Sequence, residues 1–232
     1  MVRVTLLKKA TDLIFFHRTD KWPVSFFESM KQSIAVIPEF ITEDEEKCLL
    51  QEIEPHMKRL RYEESHWDDA IHTYREREQK KWNPANEKVL ERIATTSFPE
   101  DALHLSYIHI LDLHKNGYIK PHIDSVRYCG DVISGISLLS DCVMRLVHKD
   151  EKHLIVDLHL IRRSLYKMTG IARYDFTHEV LRHNDSYFND VYVPRERRIS
   201  LIRRDLPKKE AKLNVEWKPL GEAVPDIKHE HK

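Results

Sequence analysis

Leu103-His-Leu-Ser-Tyr-Ile-His-Ile-Leu-Asp-Leu113 alternates apolar and polar residues with the two-residue period of a half-buried strand. Strand-like segments follow it at close spacing: Tyr118–Ile123, Val132–Leu139, Val143–His148, Leu154–Leu160, Ser164–Met168, Phe176–Leu181 and Ile199–Arg203. Turns rich in Gly, Asp and Lys separate them, and short strands so spaced predict a jelly roll or sandwich. Upstream the texture is different. Ser33–Ile37 reads as a short strand ended by Pro38, and Thr42-Glu-Asp-Glu45 is a capping box that starts a helix running to about Met57 or Leu60. Cys48, Leu49, Leu50 and Ile53 are its expected buried side. Asn83-Pro84 starts another helix, with Asn as cap and Pro in the first turn, and Val89, Leu90 and Ile93 form its apolar face. Helices followed by many strands give an α+β order with a mainly β core braced by N-terminal helices. Tyr62 to Tyr74 has no clear period and mixes aromatics and histidines with acids.

The chain has 232 residues, enough for one sizeable core. Lys plus Arg is 38 and Asp plus Glu is 38, so the net charge is zero, which argues against a nucleic-acid module that is basic over its whole surface. A local patch of Arg162, Arg163, Lys167 and Arg173 remains open. Hydrophobic residues at 41% argue against disorder throughout, and no apolar run is long enough for a membrane span. Only five glycines are present, in neither of the common phosphate-loop patterns. Cys48, Cys129 and Cys142 are too scattered for a disulfide scaffold or a thiolate zinc site. Residues 1–22 are basic and amphipathic, as an organelle transit segment is, although a frayed terminal helix has the same look. Residues 208–232 turn to Lys, Glu and Pro and read as a disordered charged tail.

Pro121-His-Ile-Asp124 carries the sharpest chemistry. Residues i and i+2 of an extended segment point the same way, so His122 and Asp124 can aim at one metal ion. A histidine from another strand would complete two histidines and a carboxylate, the facial set of non-haem Fe(II) oxygenases. In a chain with fifteen histidines an HxD alone also arises as an exposed His beside a turn Asp. His178, in Asp175-Phe-Thr-His-Glu-Val180, is the candidate third ligand; its ordinary alternative is a satisfied half-buried histidine. In Arg195-Glu-Arg-Arg-Ile-Ser-Leu-Ile-Arg-Arg204, the residues Arg198, Ser200, Ile202 and Arg204 share one strand face. An inward arginine is costly without an anion, and a guanidinium matches a carboxylate bidentately. A basic edge strand is the alternative there.

The order HxD, distal His, then two arginines six apart resembles the AlkB family of Fe(II)- and 2-oxoglutarate-dependent dioxygenases. The likeness runs through Arg61–His72, Gly117–Ser125, Val143–His148, Ala172–Glu179 and Arg197–Ile202, spans roughly residues 33–207, and is strongest to the mitochondrial members. It implies a double-stranded β-helix with bracing helices over residues 23–207. It also implies Fe(II) held by His122, Asp124 and His178, and 2-oxoglutarate and dioxygen as cosubstrates. Arg198 would anchor the distal carboxylate of 2-oxoglutarate, with Arg204 nearer the metal; Ser200 and Tyr166 would be further contacts. Arg197 and Arg203 share the spacing, but the family pattern runs Arg-Ile-Ser from the first arginine, which favours 198 and 204. No residue beyond the metal ligands is needed as a general base. Base-repairing relatives carry Asn-x-Tyr ahead of the HxD, where this chain has Leu111 and Leu113. That departure counts against DNA repair. The resemblance therefore implies a monomeric oxygenase of the mitochondrial matrix that hydroxylates a protein substrate, tied to alkylation-induced programmed necrosis and fatty acid metabolism. Demethylation of N-methylated RNA bases and a non-catalytic interaction module are the alternatives. Tyr62, His66, Trp67 and His72 are the candidate substrate-facing residues, against a reading in which they pack a loop onto the barrel.

Overall fold

The computed structural model describes residues 10–207, so the first nine residues and the tail expected over 208–232 lie outside the described residues. In chain order the elements are β1 (Ile14–Phe16), α1 (Val24–Ser33), β2 (Ile34–Ile37), α2 (Glu43–Met57), β3 (Glu63–Ser65), β4 (Ile71–Gln79), α3 (Pro84–Ser97), β5 (Ile108–His122), β6 (Ile133–Leu138), β7 (Cys142–His148), β8 (Ile155–Leu160), β9 (Leu165–Met168), α4 (Gly170–Tyr174), β10 (Phe176–Val180), β11 (Tyr187–Phe188), β12 (Val191–Tyr192) and β13 (Arg198–Arg204). All pairings are antiparallel. The main sheet runs β1-β8-β7-β10-β5-β13-β6-β9-β2, with β4 on β5 and β3 on β4, and curls into a nearly closed jelly-roll barrel.

The capping box forms as expected. Thr42 accepts from the Glu45 amide, and the Glu45 carboxylate accepts from the Thr42 amide. Asn83 caps α3 through its side-chain oxygen. Leu49 and Ile53 of α2 and Val89, Leu90 and Ile93 of α3 are buried against Ile110, Ile136, Ile199 and Leu201 on the outer face of the sheet. Each such side chain contributes about 1.5–3 kcal/mol by leaving water. Cys48 and Leu50 are only half-buried, at the edge of this layer. The other core lies inside the barrel, where Leu111, Leu113, Ile133, Leu146, Tyr166 and Ile202 meet.

Residues 10–22, placed by sequence in the candidate transit segment, are part of this fold. Ile14–Phe16 pairs with β8, Leu13 is fully buried, and Trp22 stacks on Phe176. The aperiodic Tyr62–Tyr74 stretch forms the hairpin β3–β4, and the two strands expected at 103–113 and 118–123 are one long β5.

β5 is shared between both halves of the barrel. One of its edges carries β4. The other carries β13 opposite residues 109–113 and β10 opposite Ile119 and His122. Where β13 and β10 diverge, the β5 carbonyls lose a strand partner. The guanidinium of fully buried Arg195 fills the fork, donating to the carbonyls of His114 (3.1 Å), Lys115 (3.0 Å) and Gly117. Buried carbonyls need such partners, and so does a buried arginine. Gly117 has no room for a side chain, since a Cβ there would lie 2.5 Å from the Thr73 carbonyl of β4.

Candidate active site

His122 is the last residue of β5, and Asp124 follows two residues on, outside the strand. His178 lies on β10 directly opposite His122, so strand pairing supplies the juxtaposition that spacing alone could not. One ligand atom from each of His122, Asp124 and His178 lies within 4.8 Å of the others. His122 Nε2 is 3.3 Å and His178 Nε2 3.8 Å from Asp124 Oδ1. His122 Nδ1 lies 2.9 Å from the Lys120 carbonyl. A carbonyl only accepts, so Nδ1 carries a proton, and in the neutral ring the Nε2 lone pair faces the cluster.

The electrostatics suit a cation. Burial raises the Asp124 carboxyl, but the Arg204 guanidinium and the two histidines outweigh it and hold it well below the usual carboxylate range. Burial lowers His122, and the hydrogen bond and charge of Asp124 more than restore it, leaving it above the ordinary value. His178 is pulled down to about 3, first by burial and then by the charge of His122. Two neutral-capable imidazoles and one carboxylate can hold a divalent ion and leave positions open.

His122, Asp124, His178, Tyr166, Arg198, Ser200 and Arg204 all line one internal cavity, whose other walls include Leu111, Ile119, Met144 and Ile202. Arg198, Ser200, Ile202 and Arg204 face inward from β13, the first three opposite Leu113, Leu111 and His109 of β5. Arg198 is 2% exposed. Its Nε donates to Ser137 Oγ at 3.0 Å, and its Nη2 is buried with no hydrogen-bond partner. A guanidinium so placed fits a carboxylate ligand, and the His-Asp-His donor set fits iron. The Tyr166 ring lies over Gly135 of β6, where a Cβ would sit 2.6 Å from it. Burial pushes the Tyr166 hydroxyl up to about 12, so it stays a donor. Arg204 donates from Nε to Asp124 Oδ2 at 2.8 Å, beside the His-Asp-His cluster. Arg197 and Arg203 face outward: Arg197 binds Asp112 and Glu54, and Arg203 donates to the Leu90 carbonyl.

The candidate substrate-facing residues divide. Tyr62 is corrected: its hydroxyl donates to buried Asp112 at 3.1 Å, and Arg75 lies over its ring, on the outer face of the sheet. His72 stacks on Tyr118 and packs the hairpin against β5. His66 and Trp67 form the tip of the β3–β4 hairpin. Trp67 is 85% exposed, so the reading as packed core fails for it. Lys120 ties this tip to the site: its amide donates to the Ala70 carbonyl, its ammonium to Asp69, and its carbonyl receives His122. The proposed phosphate patch does not assemble either. Arg162 pairs with Glu46, Arg163 with Glu43, and Arg173 is buried against the carbonyls of Cys129 and Gly130.

Sequence reasoning missed Ser137, Glu76 and His109. Ser137 sits opposite Ser200 on β6, and its role depends on a register that the sequence does not print. His109 was within reach, because strand alternation puts it on one face with Leu111 and Leu113.

No protein-family model matches the chain. It is 48% identical over 178 residues to the mouse protein named α-ketoglutarate-dependent dioxygenase alkB homolog 7, mitochondrial, covering 77% of this chain and 80% of that one. The cow protein of the same name is 48% identical over 180 residues, covering 77% and 81%. An uncharacterised Acanthamoeba polyphaga mimivirus protein, L905, is 32% identical over 94 residues, 40% of this chain and 45% of that one. Among solved structures, OsALKBH1 superposes with a TM-score of 0.55 at 11% identity, covering 74% of this chain and 97% of that one. A Pseudomonas putida prolyl-4-hydroxylase gives 0.52 at 12%, covering 78% and 96%. A Trichoplax adhaerens prolyl hydroxylase in complex with a hypoxia inducible factor peptide fragment gives 0.53 at 10%, covering 84% and 99%. At such identities these structures show the jelly-roll fold alone, whereas the mouse and cow relatives go further: the chain belongs to the alkB homolog 7 family of α-ketoglutarate-dependent, iron-using dioxygenases.

Proposed function

We propose that this chain is a mitochondrial matrix oxygenase that hydroxylates a side chain of a protein substrate, with His122, Asp124 and His178 holding Fe(II) and Arg198 anchoring 2-oxoglutarate. The observation that carries the reading is the buried guanidinium of Arg198, its Nη2 without a partner, in the same cavity as the His-Asp-His cluster. Bound iron supplies the oxidising power, with 2-oxoglutarate and dioxygen consumed and succinate and carbon dioxide released. The chain's own residues bind and orient. Arg198 takes the distal carboxylate. Tyr166 and Ser200 donate to the same ligand. Arg204 fixes the rotamer of Asp124. Leu111, Ile119, Met144 and Ile202 keep water from the inner wall.

A protein target is favoured over RNA by what surrounds the site. Three of the four cations of the candidate phosphate patch are engaged within the chain, and Trp67, Val126 and Tyr128 are exposed apolar groups on the hairpin and on the loop after Asp124. No helix among the described residues is long and apolar enough to cross a membrane. The reading takes the enzyme to act as a monomer. The ties to alkylation-induced programmed necrosis and fatty acid metabolism rest on the family resemblance and would be examined in cells carrying His122→Ala.

The test is incubation with Fe(II), 2-oxoglutarate and mitochondrial extract, as wild type and as His122→Ala. The expected result is succinate formation and a gain of one oxygen on peptides of a protein, both absent from the variant. Formaldehyde release from methylated RNA would transfer the reading to base demethylation. Absence of succinate with every component present would leave a non-catalytic interaction module.

A further inference from the structure

Behind the metal cluster runs a line of polar side chains that the oxygenase mechanism itself does not require. Glu76 of β4 places Oε2 at 2.8 Å from His109 Nε2, and His109 Nδ1 lies 3.2 Å from Arg204 Nη1. Arg204 Nε in turn donates to Asp124 Oδ2 at 2.8 Å. The first two residues come from neighbouring strands, β4 and β5, and Arg204 comes from β13. All three side chains are partly or largely withdrawn from water.

The hydrogen-bond roles along this line are forced. A guanidinium nitrogen only donates, so His109 Nδ1 must accept. The ring proton of His109 then sits on Nε2 and is donated to Glu76. Glu76 can receive it: burial raises its carboxyl, but the His109 hydrogen bond together with the nearby charges of His109, His66 and Arg204 outweighs that and leaves it below its ordinary value. With Nη1 fixed by His109, the Arg204 fork has one orientation, and its Nε meets Oδ2 of Asp124. Oδ1 is left as the oxygen that faces both His122 and His178.

We propose that Glu76 and His109 are positioning residues for the metal site, acting through Arg204 to select Oδ1 of Asp124 as the single carboxylate oxygen offered to the ion. The inference deepens the proposed function and rests on its metal assignment. Glu76 locks the His109 tautomer, His109 locks Arg204, and Arg204 keeps Asp124 from turning its second oxygen inward. Glu76 and His109 thereby take part in metal affinity although neither belongs to the His-Asp-His cluster.

The test is direct measurement of Mn(II) binding, an air-stable stand-in for Fe(II), by calorimetry on the full chain, with thermal melting of the same samples. His109→Leu removes the acceptor, and its Mn(II) dissociation constant rises about 10- to 100-fold, the usual cost of losing a partner behind a metal ligand. His109→Asn offers Oδ1 where Nδ1 stood and recovers most of that loss. Glu76→Gln keeps an acceptor for Nε2 and stays within about threefold of wild type, while Glu76→Leu weakens binding in the same direction as His109→Leu. A merely structural role predicts a lower melting temperature with unchanged affinity in the folded protein. If His109→Leu does not fold, Glu76→Leu against Glu76→Gln carries the comparison. The inference is overturned if the folded leucine variants bind Mn(II) within about twofold of wild type, or if His109→Asn is no better than His109→Leu. His122→Ala is the control: if wild type itself fails to bind Mn(II), the metal assignment falls, whereas equal binding by wild type and the leucine variants removes only the positioning role.

Discussion

Arg198→Met separates a cosubstrate anchor from a structural arginine by the sign of its effect on stability. In the ligand-free protein Arg198 is 2% exposed, makes one hydrogen bond to Ser137 and leaves Nη2 unpartnered. That bond contributes about 1.5–3 kcal/mol, and the unpartnered buried donor costs about 1–3 kcal/mol, before the price of desolvating the charge itself. Methionine fills a similar volume with no polar atom to satisfy. The balance is therefore close to zero or in favour of the variant, as when other buried ionic groups are replaced by apolar ones. For a domain of this size each kcal/mol shifts the melting temperature by about 2–4 °C, so ligand-free Arg198→Met should melt no more than about 4 °C below wild type and can exceed it.

The same substitution should be ruinous for 2-oxoglutarate. Losing one partner of a buried charge pair costs about 2–5 kcal/mol. At 1.4 kcal/mol per tenfold, that is a loss of about 30- to 4,000-fold in affinity. The assay is calorimetric titration of 2-oxoglutarate into Mn(II)-loaded protein, paired with melting curves of the ligand-free form. The reasoning is refuted if Arg198→Met binds 2-oxoglutarate within about threefold of wild type, or if it melts about 10 °C or more below it.

Metal binding below neutral pH should release up to one proton and not two, because His122 sits above the ordinary histidine value of about 6.5 and must lose its second proton, whereas His178, pulled down to about 3, is already neutral. Affinity should thus fall as pH drops through the His122 range; calorimetry in buffers of different ionisation enthalpy counts the protons, and a release of two would contradict the assignment. Gly135→Ala puts a methyl 2.6 Å from the Tyr166 ring and should cost about 1–3 kcal/mol, measured by denaturant unfolding. Combining it with Tyr166→Leu should cost less than the sum, and strict additivity would show that the two do not touch. Asp112→Ala strips a fully buried carboxylate from Tyr62, Arg75 and Arg197 and should destabilise by about 3–5 kcal/mol, leaving the Mn(II) affinity of the folded protein unchanged.

The parts of this fold that are legible in the sequence are those in which one face of an element is apolar throughout. The β-barrel strands after Val132 alternate or run apolar, and α2 and α3 carry their caps as local hydrogen bonds between residues three apart. The hairpin strand β4 escapes such reading because its two faces differ in charge sign and not in hydropathy. In Tyr74-Arg-Glu-Arg-Glu-Gln79, Arg75 turns outward to Asp112 and Glu76 inward to His109. Each of these charges is satisfied by a residue more than thirty positions away, and nothing local announces it. Lys115-Asn-Gly117 reads as a turn between two strands, yet Arg195 holds it as an irregularity within one. In the site, HxD needs only the geometry of an extended chain, and the inward arginines need only alternation. Which side of the barrel His178 would meet, and that Ser137 and His109 would bracket the two arginines, are consequences of register.

The continuity of β5 explains why the metal ligands and the cosubstrate arginines end up in one cavity. Arg198 and Arg204 lie on β13, which pairs with the first half of β5; His178 lies on β10, which pairs with the second half; His122 closes that half. If the chain had turned at Lys115–Gly117, as its residues suggest, the two halves would be separate strands and no covalent element would fix their distance. Arg195 prevents this by satisfying three carbonyls at the fork, a task that a neutral side chain with one donor cannot perform. The rigidity of the site therefore depends on a buried cation that lies outside the cavity, beside the arginine pair but distinct from it. The three arginines on one short segment do three different jobs: Arg195 joins the two halves of the barrel, Arg197 braces the outer layer through Asp112 and Glu54, and Arg198 faces the ligand. Their order follows from the extended chain itself, since Arg197 immediately precedes β13, Arg198 begins it, and consecutive extended residues face opposite sides of the sheet.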